Sequence, residues 1–217
     1  MHVTITGASR GIGAALADRY RAQGHRVTGT SRRGGGTDDL VALDVTQPAQ
    51  FAALAKRLGG APVDLLVCNA GVYPDGDETL DTGYPAALWA EVLATNVTGV
   101  FLTIQTLLPN LRLAPGARIA ILSSHMGSTA RAPGDSYIYR ASKAAVLNLG
   151  RNLAADLRGD GIAVGIYHPG WVQTDMGGPG ADIPVQTSVE GLLARFAALS
   201  PENSGCFETW DGRPIPY

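Results

Sequence analysis

The chain has little cysteine: Cys68 and Cys206 are the only two in 217 residues. That excludes a disulfide framework, and their spacing fits no metal centre. Both lie in apolar, strand-like segments, which predicts free thiols in a reducing compartment. Charge is sparse too, at 17% with a net charge of -2, so no basic face is expected and no nucleic-acid partner. No apolar run approaches the ~20 residues that span a bilayer, and no membrane partner is expected. A strand pattern opening at His2 leaves no room for a signal peptide. The expectation is a cytoplasmic globular protein of one domain over residues 1–217.

What is present is alternation. Short apolar runs at His2-Thr6, Arg26-Thr30, Leu40-Leu43, Val63-Val67, Arg118-Leu122, Ala163-Tyr167 and Cys206-Glu208 read as strands. Between them, helical patterns fall near Gly11-Gln23, Pro48-Leu58, Tyr84-Leu111, Tyr137-Arg158 and Thr187-Leu199, the third breaking in two around Asn96. Apolar, two-sided strands alternating with helices predict an α/β fold, a Rossmann-type doubly wound parallel sheet of about seven strands with helices on both faces. The Gly34-Gly36 and Gly177-Gly180 patches read as flexible loops.

The turn after the first strand reads Thr6-Gly7-Ala8-Ser9-Arg10-Gly11-Ile12-Gly13. Glycines there let the backbone approach a pyrophosphate at a helix N-terminus. At the end of the second strand, Ser31-Arg32-Arg33 offers cations and no acid before Asp38, which favours the 2′-phosphate of NADP(H) over the 2′-hydroxyl of NAD(H). Arg10 is placed to reach the same phosphate. Asp44-Val45 follows the third strand, where the carboxylate can accept from an adenine amino group. Asn69-Ala70-Gly71 follows the fourth and lets the backbone pass close to a ribose.

Tyr139 and Lys143 share a helix face at i and i+4. A nearby cation lowers a phenol's pKa. A shift of three units needs roughly 4 kcal/mol, more than one partly solvated lysine gives, which points to a second cation such as an oxidised nicotinamide ring. Tyr137, with Ala141 four residues on, has no such partner. Strand five ends in Ser123-Ser124, and a serine there can hydrogen-bond a substrate carbonyl. Asn96, polar inside an apolar helix, marks a helix irregularity or a buried water.

Thr6-Gly7-x-x-x-Gly11-x-Gly13, Asn69-Ala70-Gly71, Asn96, Ser124, Tyr139-x-x-x-Lys143 and Pro169-Gly170 stand in the order of the short-chain dehydrogenase/reductase family, which the chain resembles from residue 3 to about 212. The stretches from Tyr139 to Ala145 and Pro169 to Gly178, and the ending from Gly205 to Pro216, look like its C-factor-like (sniffer-like) carbonyl reductases. The resemblance implies a tetrad: Tyr139 as general acid, Lys143 lowering its pKa and binding ribose, Ser124 orienting the carbonyl, and Asn96 holding a relay water. It implies that Thr174 contacts the nicotinamide carboxamide with Val172 beside it. The serine-to-tyrosine separation is longer than is typical, so Ser123 stands as an alternative to Ser124. The loop from Asp175 to Gln186 is too short for a deep lid, which predicts a shallow site lined by His125, Met126, Tyr73, Tyr137, Trp171 and Met176.

The function expected is reduction of a small aldehyde, ketone or quinone with NADPH, or the reverse oxidation. The alternative is a non-catalytic NADP-binding redox sensor or C-factor-like signalling protein. A homodimer is expected, with a homotetramer as the alternative, and Val146, Leu149 and Leu153 as candidate subunit contacts.

Overall fold

The computed structural model describes residues 1–35 and 39–217; Gly36 and Asp38, named above, lie outside them. Seven strands form one parallel sheet in the order β3-β2-β1-β4-β5-β6-β7. They are β1 (His2–Ile5), β2 (Arg26–Ser31), β3 (Leu40–Ala42), β4 (Leu65–Cys68), β5 (Arg118–Leu122), β6 (Ala163–His168) and β7 (Phe207–Thr209). β1 and β4 are buried along their whole length because both faces are covered. β4 starts at Leu65 rather than Val63; the Val63 amide donates to Asn110 O instead of joining the ladder.

Helices α1 (Gly11–Ala22) and α6 (Val185–Ala198) cover one face; Leu16, Tyr20, Val189, Leu192 and Phe196 pack there on Val3, Ile5 and Val67. The other face carries α2 (Phe51–Leu58), α3 (Ala86–Leu93), α4 (Gly99–Arg112) and α5 (Tyr137–Asp156). Phe51, Leu54, Ile104, Leu107, Leu111 and Val146 fill that layer. Truncating a fully buried leucine such as Leu107 to alanine costs about 2–5 kcal/mol. Val146 is 0% exposed and belongs to this core, so it is no subunit contact; Leu149 and Leu153 are half-buried against the same cluster.

The long third helical region does break at Asn96. Ala94–Thr98 is a π-turn between α3 and α4. By length and composition the combined stretch Ala86–Arg112, which holds an 18-residue window of mean hydropathy 1.5, would suffice to cross a membrane. This corrects the expectation that no such run exists; here Val100, Ile104, Leu107 and Leu111 face the sheet.

The order reverses between β1 and β4, so the loops at the carboxyl ends of β1, β4, β5 and β6 gather around one crevice.

Candidate active site

The turn after β1 is held from β4. Thr6 Oγ1 accepts from the amides of Asn69 and Ala70, and Asn69 Nδ2 donates to the carbonyls of Thr6 and Gly7 at 2.9 and 3.0 Å. Asn69 therefore staples the glycine turn to the end of β4. Gly7 has φ +68, and a Cβ at Gly13 would collide with Gly7 O and Asn69 Nδ2, so the glycines are dictated by backbone packing. No side chain caps α1 and its first turn holds no acid. Its N-terminal amides thus fit an anion such as a pyrophosphate.

Arg32 and Arg33 are exposed at the end of β2, and among the described residues neither makes an ion pair. Ser31 Oγ donates to Gly34 O. The Arg10 guanidinium sits 2.7 Å from Asp175, on the loop after β6. Asp44 Oδ1 accepts from the amide and hydroxyl of Thr46, which fixes the carboxylate at the crevice.

The two serines after β5 divide cleanly. Ser123 is 2% exposed and donates to Lys143 O at 3.1 Å, tying α5 to the sheet. Ser124 Oγ accepts from the Met126 amide, and its hydroxyl lies close enough to the Tyr139 phenol to lower its pKa. The geometry thus brings Ser124, not Ser123, to the tyrosine. Gly127 permits this approach, since a Cβ there would sit 2.6 Å from the Lys143 carbonyl.

Lys143 is buried beneath, its Nζ donating to Leu122 O at 2.9 Å and lying 5.5 Å from the Tyr139 ring centroid. Burial pulls the ammonium down to about 8. Burial pushes the Tyr139 phenol up to about 12, against the pull of the nearby Ser124 hydroxyl, with Tyr73 and Asp75 adding to the rise. As expected, the single charge of Lys143 is not enough to lower this pKa: desolvation of the phenolate outweighs it.

Asn96 reaches across from the π-turn. Its Oδ1 accepts from Val72 N, and its Nδ2 donates to Val72 O and Ser142 Oγ, at 2.9, 2.9 and 3.0 Å. Both amide hydrogens are engaged. Gly71 lies between, where a Cβ would be 3.3 Å from Asn96 Oδ1 and 3.7 Å from Lys143 Nζ.

Around this centre, Trp171, Met176 and Tyr137 are exposed. Trp171 Nε1 donates to Gly177 O. Tyr137 packs edge-on against Tyr84, and Tyr73 covers the Tyr139 ring at 4.3 Å between centroids. The loop after β6 is short but braced: Val172 bridges Ile183, and Thr174 Oγ1 accepts from Gly177 N. Thr174 also touches the glycine turn, 3.4 Å from where a Gly11 Cβ would stand. Pro169 O accepts from Ser188 Oγ, and Gly170 has φ +92.

Sequence reasoning missed Asp75, which bonds the start of α5, and His168, whose Nε2 lies 2.8 Å from His125 Nδ1. Met126 follows His125 in the same short turn. Both missed contacts join distant stretches of chain.

The short chain dehydrogenase family model matches residues 1–182. C-signal of Myxococcus xanthus is 40% identical over 166 residues, covering 76% of this chain and 99% of its own. Among solved structures, an NADPH-bound carbonyl reductase from chicken fatty liver has a TM-score of 0.89 and 32% identity, covering 100% of this chain and 98% of that one. The carbonyl reductase Sniffer of D. melanogaster has a TM-score of 0.90 and 25% identity, covering 100% and 99%.

Proposed function

The chain belongs to the short-chain dehydrogenase family, and from that premise we propose that it is a cytoplasmic, homodimeric NADPH-dependent reductase of small aldehydes, ketones or quinones. Tyr139 donates the proton, Ser124 orients the carbonyl, Lys143 holds the ribose, and the Asn96 carbonyl holds a relay water. One observation carries the reading. The Tyr139 phenol faces Ser124 and lies over a buried ammonium 5.5 Å from its ring centroid, yet burial pushes its pKa up to about 12. It is therefore protonated at neutral pH, as an acid must be.

Bound NADPH supplies a hydride to the carbonyl carbon. As the carbonyl oxygen gains charge, Ser124 and Tyr139 hydrogen-bond it, and the phenolic proton passes to it, giving the alcohol. The phenolate left behind is balanced by Lys143 and the now oxidised ring. Preference for the 2′-phosphate rests on Arg32 and Arg33, with Ser31 beside them. The glycine turn and Thr174 cradle the rest, and Asp44 meets the adenine. The exposed rim of Trp171, Met176 and Tyr137, with His125 and Met126 half-buried, fits small carbonyls rather than one deeply enclosed substrate. The free thiols of Cys68 and Cys206 agree with a reducing cytoplasm.

The test is NADPH oxidation against a panel of aldehydes, ketones and quinones with wild type and Tyr139→Phe. The expected loss is about 10²–10⁴-fold. Turnover untouched by the substitution would overturn the mechanism, and NADPH binding without turnover of any carbonyl would favour a sensor or signalling role.

A further inference from the structure

Among the described residues Asp75 is the only carboxylate fully buried, at 0% exposure, and it forms no ion pair. Its Oδ2 accepts from the backbone amides of Ile138 and Tyr139, at 2.9 and 3.1 Å. Its Oδ1 is buried with no hydrogen-bond partner. The residues that would ordinarily cap α5 are turned away. Asp135 and Ser136 both take left-handed backbone, φ 61 and 49, and the Ser136 hydroxyl meets the Tyr73 phenol at 2.6 Å. Two such residues in succession are costly without glycine. They leave the start of α5 to a side chain 63 residues away, on the loop that also lays Tyr73 over Tyr139.

We propose that Asp75 is a positioning residue for the reaction, a buried anion that fixes the backbone of Tyr139 and keeps an uncompensated negative charge beside its ring. The inference rests on Tyr139 being the proton donor. A cap alone requires only an acceptor, which Ser, Thr or Asn provides without burying charge. A carboxylate with one oxygen unsatisfied costs more than any of them, partly offset by the positive end of α5. What the charge adds is resistance to phenolate formation. The groups facing Tyr139 pull in opposite senses. The Ser124 hydroxyl from the β5 turn and the Lys143 ammonium from α5 favour phenolate, while Asp75 and Tyr73 on the loop after β4 oppose it. Tyr84 also feels the Asp75 charge, with Tyr137 and Asp135 acting on it beside Asp75, and these three stay the same in a substituted protein.

The sign follows directly. Asp75→Asn still accepts from both amides but removes the charge, so phenolate forms at lower pH. Reduction, which needs the phenol, should fall away at lower pH by about half a unit or more, and oxidation should rise earlier by the same amount. Phenolate absorbance of Tyr139, taken as the difference from Tyr139→Phe, should shift equally without substrate. Asp75→Ala should lower kcat about tenfold with KM within about twofold, and Asn should restore most of kcat while keeping the shift. Superimposed pH profiles and absorbance titrations for wild type and Asp75→Asn overturn the proposal. So does an alanine loss that asparagine fails to recover. If Asp75→Ala does not fold, the asparagine comparison decides alone. An inactive Tyr139→Phe with superimposed profiles refutes only the role of Asp75; an active Tyr139→Phe refutes the reading beneath it.

Discussion

The Arg10 guanidinium lies 2.7 Å from the Asp175 carboxylate, joining the turn after β1 to the loop after β6. The pair is 67% and 77% exposed, so it contributes under about 1 kcal/mol. On the proposed NADPH reading, a 2′-phosphate would compete with Asp175 for the same cation. Asp175→Asn should lower the KM for NADPH by up to about threefold and leave that for NADH alone. Equal changes for both cofactors would show that Arg10 does not read the 2′-phosphate.

At the end of β2 the discrimination should be larger. Arg32→Ala with Arg33→Ala should raise the KM for NADPH at least about tenfold, since charge-assisted hydrogen bonds are lost, and change that for NADH by less than about twofold. Parallel steady-state measurements with the two cofactors decide it.

Lys143 illustrates a site held against stability. Its ammonium is desolvated, with its pKa pulled from 10.5 to about 8. At neutral pH that charge weakens the fold. Lys143→Met keeps the packing, removes the charge and loses the hydrogen bond to Leu122 O. The expected net gain of about 1 kcal/mol should raise Tm by roughly 2–4 °C, while turnover drops about a hundredfold or more. Calorimetry paired with NADPH oxidation tests both halves; a lower Tm with turnover retained would contradict them.

His168 should govern acid stability. Burial, with His125, Arg131 and Lys143 nearby, holds its pKa down at about 3, against 6.5 for an ordinary histidine. Between those values the unfolded chain binds a proton that the folded chain refuses. Stability is therefore full above about pH 6.5 and falls as pH drops toward 3. From pH 7 to pH 4 wild type should lose on the order of 3 kcal/mol more than His168→Gln in urea unfolding. Equal losses would remove His168 as the cause.

Local patterns carried most of the fold. Seven strands and the break at Asn96 were legible because periodicity and burial report on neighbouring residues. The Tyr139–Lys143 face was legible for the same reason. The sign of the tyrosine's pKa shift was not, because spacing shows a cation's proximity and says nothing of desolvation. The choice between Ser123 and Ser124 needed the strand's end and the α5 backbone together. Asp75 in Pro74-Asp75-Gly76 reads as a turn residue, and only its distant partners in α5 make it more. Likewise Arg10 and Asp175 are 165 positions apart, beyond any pattern a sequence window holds.

The π-turn at Ala94–Thr98 contains one residue more than the α-helix it interrupts. Removing a single residue there would restore an unbroken helix and abolish the wide turn that presents Asn96. Asn96 would then lose Val72 and Ser142 together. Length variation should therefore be tolerated in the exposed 76–85 loop but not at these five positions. When related chains are aligned, a one-residue gap there is a sharper sign of a lost active site than many outright substitutions.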